Sequence, residues 1–273
     1  MRLSAYLTKR QALINQALAK RLPPAGDSPR PIHEAMRYSV LGEGKRIRPI
    51  LTLAACEAVG GNSKEALPTA CALEMIHAYS LVHDDLPSMD DDDFRRGKPS
   101  CHKKFGEAIG VLTGDALLTL SFQLLSRVNH NATSHLRVIQ EISKAIGTQG
   151  MIGGQVADIA LTNGRVGAQG IRFINSRKTG AFIGASVRVG AILGGATPAQ
   201  YRALEIYGDR VGLTFQLVDD LLDEDGMVRI EGKAKVRQQA QRLTAQAIAV
   251  LKPFGLKAEP LRALAQFILT RKS

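Results

Sequence analysis

The chain has 273 residues, 45% of them apolar, which is enough to form the core of one large domain or of two ordinary ones. Its net charge is +11, from 36 basic and 25 acidic residues. The basic residues are not clustered with aromatic ones and form no nucleic-acid-binding module. The composition therefore disfavours a nucleic-acid partner and favours small anionic substrates.

The cysteines, Cys56, Cys71 and Cys101, lack metal-ligand spacing and cannot all pair in disulfides. They indicate free thiols in a reducing compartment, so we expect a cytoplasmic protein. No apolar run reaches the roughly 20 residues of a membrane span, so we expect no membrane-spanning segment. Residues 1–22 are basic and lack acids, as in a transit peptide, but two prolines follow directly and favour an ordinary first helix.

The elements predicted along the chain are all helices, because strand-like alternation is hard to find. We expect a helix over 2–22, a proline-rich turn over 23–31, and further helices over 32–41, 48–59, 64–85, 106–128, 133–152, 170–194, 198–223, 234–252 and 258–271. The sequence therefore predicts an all-α protein, a single-domain bundle of about ten or more helices over residues 1–273.

Six carboxylates stand within ten residues at 84–93, directly after an apolar helical run. Charges this close repel one another unless cations offset them. Pro87 removes a backbone donor and breaks the helix. We expect the broken turn to fold Asp90 back toward Asp84, so that both grip one hard cation.

A second acidic cluster contains Gln216, Asp219 and Asp223, which are spaced to lie on one helix face. Apolar residues on the other faces predict a largely buried helix, whose carboxylates need partners. Oxygen-only clusters suit Mg²⁺, and neither cluster fits an EF-hand loop. Two such clusters on separate helices can clamp one diphosphate through several Mg²⁺ ions.

Basic residues accompany both clusters. Lys45, Arg46 and Arg48 stand at a predicted helix start, where free N–H groups already attract anions. Arg95 and Arg96 follow the first acidic cluster directly. The alternative is a basic surface turn, but beside these acids we favour a second diphosphate site.

Three further features stand outside the charged clusters. His77 shares a helix face with Asp84, so it either packs in the core or donates a hydrogen bond to an anion. Lys178 begins a stretch rich in small residues, which permits close helix approach or leaves room for an apolar ligand. Gly153-Gly154 predicts a flexible break beside polar groups.

Together these motifs resemble the trans-prenyltransferase family of isoprenoid diphosphate synthases, in the same order from about residue 30 to 225. The resemblance implies a helical bundle around a central apolar cavity, and a homodimer. It implies that the Mg²⁺ ligands are Asp84, Asp90 and Asp219, supported by Asp85, Asp220 and Asp223. It assigns the isopentenyl diphosphate site to Lys45, Arg48, His77 and Arg96, and the allylic diphosphate site to Arg95, Lys178, Thr179 and Gln216.

The chemistry implied by the resemblance is ionisation of an allylic substrate, dimethylallyl or geranyl diphosphate. Three Mg²⁺ ions and nearby cations would draw charge onto the leaving diphosphate. The double bond of isopentenyl diphosphate then attacks the carbocation, which the dipoles of Thr179 and Gln216 can stabilise. A proton leaves last, and no Ser, Cys or His nucleophile is needed.

Product length is expected to depend on Tyr79 and Ser80, which lie about one helical turn before Asp84. A large Tyr79 can form a floor that stops the growing chain, which favours a fifteen-carbon product, farnesyl diphosphate. The alternatives are a Tyr79 that only packs in the core, and a geranylgeranyl diphosphate synthase.

After Asp223 the resemblance weakens, because the lysine-containing loop typical of the family is shortened to residues 224–232. Lys233 or Lys235 is a candidate replacement for its cations. The short loop keeps open a non-catalytic scaffold subunit of the same fold. A terpene cyclase is a further alternative, but such enzymes usually carry an Asn/Ser/Glu pattern in the second cluster.

Overall fold

The computed structural model describes residues 2–127, 131–161 and 168–271, and helices dominate it. The helices are α1 (Leu3–Arg21), α2 (Arg30–Leu41), α3 (Ile47–Ala58), α4 (Ser63–Asp84), α5 (Cys101–Phe105), α6 (Glu107–Ser126), α7 (Ala132–Ile146), α8 (Met151–Leu161), α9 (Ala168–Asn175), α10 (Ala181–Leu193), α11 (Pro198–Asp223), α12 (Met227–Glu231), α13 (Lys233–Ala249) and α14 (Glu259–Thr270). A π-helical turn covers Ser176–Gly180, and a 3₁₀ segment covers Lys252–Ala258. The prediction of an all-α fold is confirmed.

One short hairpin was not predicted. Strand β1 (Phe94–Arg95) pairs antiparallel with β2 (Lys98–Pro99), with Arg95 opposite Lys98. Arg96 and Gly97 form the turn between them, with φ of 54° and 74°. Left-handed conformations at both central residues are typical of a tight two-residue hairpin. Two-residue strands are too short to produce an alternating sequence pattern.

The break expected at Gly153-Gly154 is wrong, because both residues lie inside α8. The predicted helix over 133–152 instead ends at Ile146, and Gly147 is its C-cap. Gly154 lets α8 pack closely against the chain segment at Lys178. A Cβ there would lie 2.3 Å from the backbone nitrogen of Lys178, so only glycine lets α8 approach this segment.

The helix predicted over 170–194 contains the π-helical turn Ser176–Gly180 between α9 and α10. Such turns insert an extra residue into a helix and are frequent at functional sites. The turn lies against α11, where a Cβ on Gly212 would be 2.7 Å from the carbonyl oxygen of Gly180. Gly180 and Gly212 therefore allow the backbones of the π-helical turn and α11 to approach closely.

The chain divides into two compact units, each made from separated segments. The first unit holds residues 7–50 and 67–127. The second unit holds residues 2–6 and 51–66 together with the described residues after 130. The prediction of a single domain over residues 1–273 stays a prediction.

A buried ion pair organises the first unit. The Arg46 guanidinium donates to Glu74 Oε1 at 2.7 Å, and the two side chains are only 1% and 4% exposed. It also donates to the carbonyl oxygens of Val40 and Gly42 and to Asn15 Oδ1. Arg46 thus joins α1, the end of α2 and α4, so this member of the basic motif is structural.

The second unit is built around α10, which is buried along most of its length and packs against α7 and α11. Arg188 in α10 donates to Glu141 at 2.7 Å and to Asp209 at 3.1 Å. The Tyr207 hydroxyl of α11 donates to the carbonyl oxygen of Leu261 at 2.6 Å. These contacts hold α11, which carries the second acidic cluster.

Within the described residues, α6 is long and apolar enough, by length and composition, to cross a membrane. The sequence prediction found no such run because Asp115 and several polar residues interrupt it. About a third of its apolar stretch is buried. Core helices of proteins that cross no membrane can meet the same criteria, so the absence of a membrane span stays a prediction.

We expect Glu74→Ala to lower the free energy of unfolding by about 3–5 kcal/mol, because it leaves the buried Arg46 charge without its carboxylate. The control is Glu34→Ala, which removes an exposed partner of Arg30 and should cost at most about 1 kcal/mol. Urea unfolding of both variants measures the difference. Equal losses would contradict a structural role for the buried pair.

Candidate active site

The first acidic cluster turns back on itself as expected. Helix α4 ends at Asp84, and the backbone N–H of Asp90 donates to the carbonyl oxygen of Asp84 at 2.8 Å. The N–H of Asp91 donates to the carbonyl oxygen of Leu86 at 3.1 Å. The predicted folding of Asp90 toward Asp84 is therefore confirmed for the backbone, while a cation shared by the two carboxylates stays a prediction.

The hairpin places Arg95 against the acidic cluster. Its Nε donates to Asp85 Oδ1 at 2.8 Å, and its Nη2 donates to Asp92 Oδ2 at 2.7 Å. The Asp85 side chain is buried, and this burial raises the pKa of its carboxyl while the Arg95 hydrogen bond opposes the rise. Arg95 thus offsets the charge of the cluster from within the first unit.

Cations also surround His77. Burial, followed by the guanidiniums of Arg48 and Arg96, holds the pKa of His77 well below its usual range. A neutral imidazole has one donor and one acceptor nitrogen. His77, Arg96 and Asp85 line a cavity of about 60 Å³ in the first unit. The structure therefore brings together the histidine and two arginines assigned to one diphosphate site.

The remaining cations of the basic motif differ in exposure. Helix α3 begins at Ile47, slightly before the predicted start, and Arg48 in its first turn is half-buried. The Arg48 guanidinium contributes to the lowering of the pKa of His77. Lys45 is exposed, and its carbonyl oxygen accepts from Gln11 at 3.2 Å. Of these two cations, Arg48 is therefore the one whose charge acts on His77.

Tyr79 is buried on α4, with only 6% of its surface exposed. Its ring packs edge-on against that of His83, with centroids 5.8 Å apart. Burial raises the pKa of Tyr79 to about 12, and its hydroxyl has no hydrogen-bond partner among the described residues. The neighbouring Ser80 hydroxyl donates to the carbonyl oxygen of His77. A buried, unpaired hydroxyl costs about 1–3 kcal/mol, so apolar packing alone gives no reason to retain it.

In the second unit, α11 carries Gln216, Asp219 and Asp223 on one continuous helix, as the spacing predicts. Asp219 is half-buried, and Asp223 is the exposed last residue of the helix. Asp220 accepts a hydrogen bond from the backbone N–H of Met227 at 3.0 Å. One member of the cluster therefore helps to hold the turn that follows.

Arg271, just after α14, is a partner of Asp219 that sequence reasoning missed. Its Nη2 donates to Asp219 Oδ1 at 2.5 Å and to the carbonyl oxygen of Phe215 at 2.9 Å. Its guanidinium carbon lies 3.8 Å from the centroid of the Phe215 ring. No sequence signal links the residues, because Arg271 is 52 positions after Asp219 and belongs to no motif.

Lys178 and Thr179 lie in the π-helical turn against α11. The Lys178 ammonium donates to Asp158 Oδ2 at 2.8 Å and so forms an ion pair with α8. Asp158 belongs to the polar group that follows Gly153-Gly154 in the sequence. The roles of Lys178, Thr179 and Gln216 toward an allylic diphosphate stay predictions.

The shortened segment after Asp223 forms an ordered turn with the short helix α12. Lys233 pairs with Glu224 at 2.6 Å, and Lys235 with Glu231 at 3.4 Å. These ion pairs engage both lysines with acids of the same segment. That Lys233 or Lys235 replaces the cations of the missing loop stays a prediction.

The acidic clusters offer donors that fit Mg²⁺. All of their side-chain donors are oxygens, which Mg²⁺ prefers. Among the described residues, no three His, Cys, Asp or Glu side chains are gathered into a ready metal site. Mg²⁺ needs only one or two carboxylates, because waters and substrate phosphates complete its octahedron. Asp84 and Asp219 belong to different units, so their joint hold on one diphosphate stays a prediction.

Known proteins resemble this chain over nearly its whole length. The "heterodimeric geranylgeranyl pyrophosphate synthase large subunit 1, chloroplastic" of Arabidopsis thaliana is 43% identical, over 98% of this chain and 79% of that protein. The chloroplastic geranylgeranyl pyrophosphate synthase of Capsicum annuum is also 43% identical, over 97% and 78%. The first alignment spans 296 positions, so the relative contains residues that this 273-residue chain lacks.

A solved structure shows the same fold. The apo crystal structure of an FPP/GFPP synthase from Zymomonas mobilis superposes with a TM-score of 0.93 at 40% identity, covering 98% of this chain and 99% of that one. The polyprenyl synthetase family model matches residues 29–259. The chain therefore belongs to the polyprenyl synthetase family and has the isoprenoid synthase fold.

Proposed function

We propose that this protein condenses isopentenyl diphosphate with dimethylallyl and geranyl diphosphate to give farnesyl diphosphate. The observation that supports the proposal is the group of cations around His77 in the first unit. There Arg48 and Arg96 surround a neutral His77, next to a turn that brings Asp90 to Asp84. Cations beside metal-type carboxylates are the combination that a magnesium diphosphate requires.

Each group has a definable part in this reaction. Arg48 and Arg96 would bind the diphosphate of isopentenyl diphosphate, while His77 donates one hydrogen bond without adding charge. Magnesium, when bound at Asp84, Asp90 and Asp219, would supply Lewis-acid stabilisation to the leaving diphosphate of the allylic substrate. The protein's contribution is to fix and neutralise that group as its C–O bond breaks.

The cation left on the allylic fragment needs neutral dipoles around it. Thr179 and Gln216 offer a hydroxyl and an amide oxygen for this purpose, and Lys178 would bind the allylic diphosphate. The double bond of isopentenyl diphosphate then forms the new C–C bond. Loss of a proton from the adjacent carbon to the released diphosphate then removes the positive charge and forms the new double bond of the chain.

A geranylgeranyl diphosphate synthase is the second candidate, because the curated relatives at 39–43% identity carry that name. The farnesyl assignment depends on Tyr79, whose buried ring would stop the chain at fifteen carbons. The FPP/GFPP synthase of Zymomonas mobilis is named for products of fifteen and twenty-five carbons, so resemblance alone leaves product length undecided.

A product assay tests the proposal directly. The protein is incubated with Mg²⁺, isopentenyl diphosphate and dimethylallyl or geranyl diphosphate, and the products are identified by mass. A fifteen-carbon diphosphate is expected. A twenty-carbon product would favour the second candidate, and hydrocarbon release from farnesyl diphosphate would indicate a cyclase. Absence of product together with binding to an active synthase would indicate a scaffold subunit.

We expect Asp84→Ala and Asp219→Ala each to lower turnover by a factor of about 10³ or more, since each removes a carboxylate that would hold magnesium against the leaving group. Steady-state kinetics measures the loss, and circular dichroism checks that the helices remain. The control is Asp209→Ala, which removes an exposed partner of Arg188 elsewhere on α11 and should retain most activity. Near-normal turnover of either cluster variant would refute its assignment.

We expect Tyr79→Ala to lengthen the main product to twenty carbons or more, because it removes the buried ring that would form the floor. The matched control is Tyr79→Phe, which keeps the ring and removes only the unpaired hydroxyl, and it should retain the wild-type product. Chromatography of the dephosphorylated products reads the length. An unchanged product length in Tyr79→Ala would show that the Tyr79 ring only packs in the core.

We further propose that the protein acts as a homodimer in the cytoplasm, as the family resemblance and the three free cysteines suggest. Helix α6 exposes Val111 and Leu112, the kind of apolar surface that a second copy can cover. Light scattering after gel filtration should give twice the mass of the 29.4 kDa chain. A monomer at assay concentration would contradict this part of the proposal.

A further inference from the structure

The ion pair between Arg271 and Asp219 is less exposed than a typical surface ion pair. The Arg271 side chain is only 6% exposed, whereas that of Asp219 is 35% exposed. The guanidinium has three anchors, which are the carboxylate of Asp219 and the carbonyl oxygen and ring of Phe215. Two of these anchors do not involve Asp219, so the position of the guanidinium does not depend on this carboxylate alone.

The contact with Arg271 is made through one oxygen of the Asp219 carboxylate. Arg271 reaches Oδ1, and a carboxylate has about four lone-pair sites on two oxygens. A carboxylate held by a fixed hydrogen-bond donor loses less rotamer freedom when it binds a metal. Partners of metal-binding carboxylates commonly orient them in this way.

The lysines near the second acidic cluster form ion pairs with other acids. Lys178 pairs with Asp158, Lys233 with Glu224, and Lys235 with Glu231. Asp220 accepts a backbone hydrogen bond from Met227. Arg271, in contrast, pairs with Asp219 of the cluster directly.

We propose that Arg271 is a positioning residue that orients the Asp219 carboxylate for a magnesium ion bound to a diphosphate. The inference rests on the proposed function, because it assumes that Asp219 meets a magnesium diphosphate at all. It assigns a role in the reaction to a residue outside every acidic or basic motif of the sequence. The guanidinium also places a fixed positive charge beside the carboxylate that would meet the diphosphate.

Calorimetric titration of inorganic diphosphate, with and without Mg²⁺, tests the proposal on the full chain. The main variant is Arg271→Met, which keeps the apolar stem of the side chain against Phe215 and removes the guanidinium. We expect it to weaken Mg²⁺-dependent diphosphate binding by about tenfold to a hundredfold. Arg271→Lys should recover part of the affinity, because an ammonium keeps the charge but not the fork of donors.

The control is Arg262→Met, on the same terminal helix. Arg262 donates to the carbonyl oxygens of Gly255 and Leu251, so it stabilises α14 without contacting α11 acids. This variant should keep wild-type affinity even when its melting temperature falls. Circular dichroism and thermal unfolding in EDTA separate lost structure from lost binding in each variant.

The results separate the possible roles of Arg271. Wild-type affinity in Arg271→Met would show that the residue only packs the last helix, and tighter binding would show that the guanidinium competes with the metal. Either result overturns the inference about Arg271. The proposed function still stands in that case, provided that the wild-type protein binds diphosphate with Mg²⁺ and elongates an allylic diphosphate. If the wild-type protein shows no Mg²⁺-dependent diphosphate binding, the proposed function fails and the inference falls with it.

Discussion

Repulsion between neighbouring carboxylates is the constraint on which both acidic clusters depend. Each unit meets it with a guanidinium that is fixed by other contacts. In the first unit Arg95 bridges Asp85 and Asp92 from a hairpin, and in the second Arg271 reaches Asp219 from beyond the last helix. Fixed cations lower the cost of folding with these carboxylates, since uncompensated charges near the core are costly.

The basic motif before α3 shows that similar residues can serve opposite purposes. Arg46 turns inward, pairs with Glu74 and joins three segments, whereas Arg48 is half-buried and acts on the pKa of His77. Lys45 stays exposed. The buried pair holds this segment between α1, α2 and α4. Proximity in sequence therefore says little about which cation binds a ligand.

The sequence predicts most of the helices and the carboxylates of the clusters, because apolar periodicity and charge spacing are local signals. It fails where tertiary contact decides. Gly153-Gly154 reads as a break but lies within α8, since the pair permits close packing on Lys178. The strands of the hairpin that carries Arg95 are too short to produce an alternating sequence pattern. The contact between Arg271 and Asp219 joins positions that belong to no common sequence motif.

The assignment of product length depends on Tyr79, whose position is read from the sequence but whose surroundings are set by tertiary packing. The position of Tyr79 before the first cluster predicts a floor, and the structure shows its ring buried against His83. His83 is held in turn, because its Nε2 lies 3.0 Å from the carbonyl oxygen of Val111. A Cβ on Gly114 would lie 2.0 Å from that same nitrogen, so α6 fits around His83 only with glycine there. The position of the Tyr79 ring is thus set jointly by α4 and α6, through His83.

The shortened segment after Asp223 changes how charge is supplied near the second cluster. Asp220 is engaged with Met227, and Lys233 and Lys235 are engaged with acids of their own segment. These contacts stabilise a compact turn, but they draw its lysines into local ion pairs. A flexible lysine loop can bring charge to a diphosphate only after the loop closes. In the role proposed for Arg271, a guanidinium already seated on Phe215 would bring its charge without that motion. A preformed contact would then take the place of a moving loop.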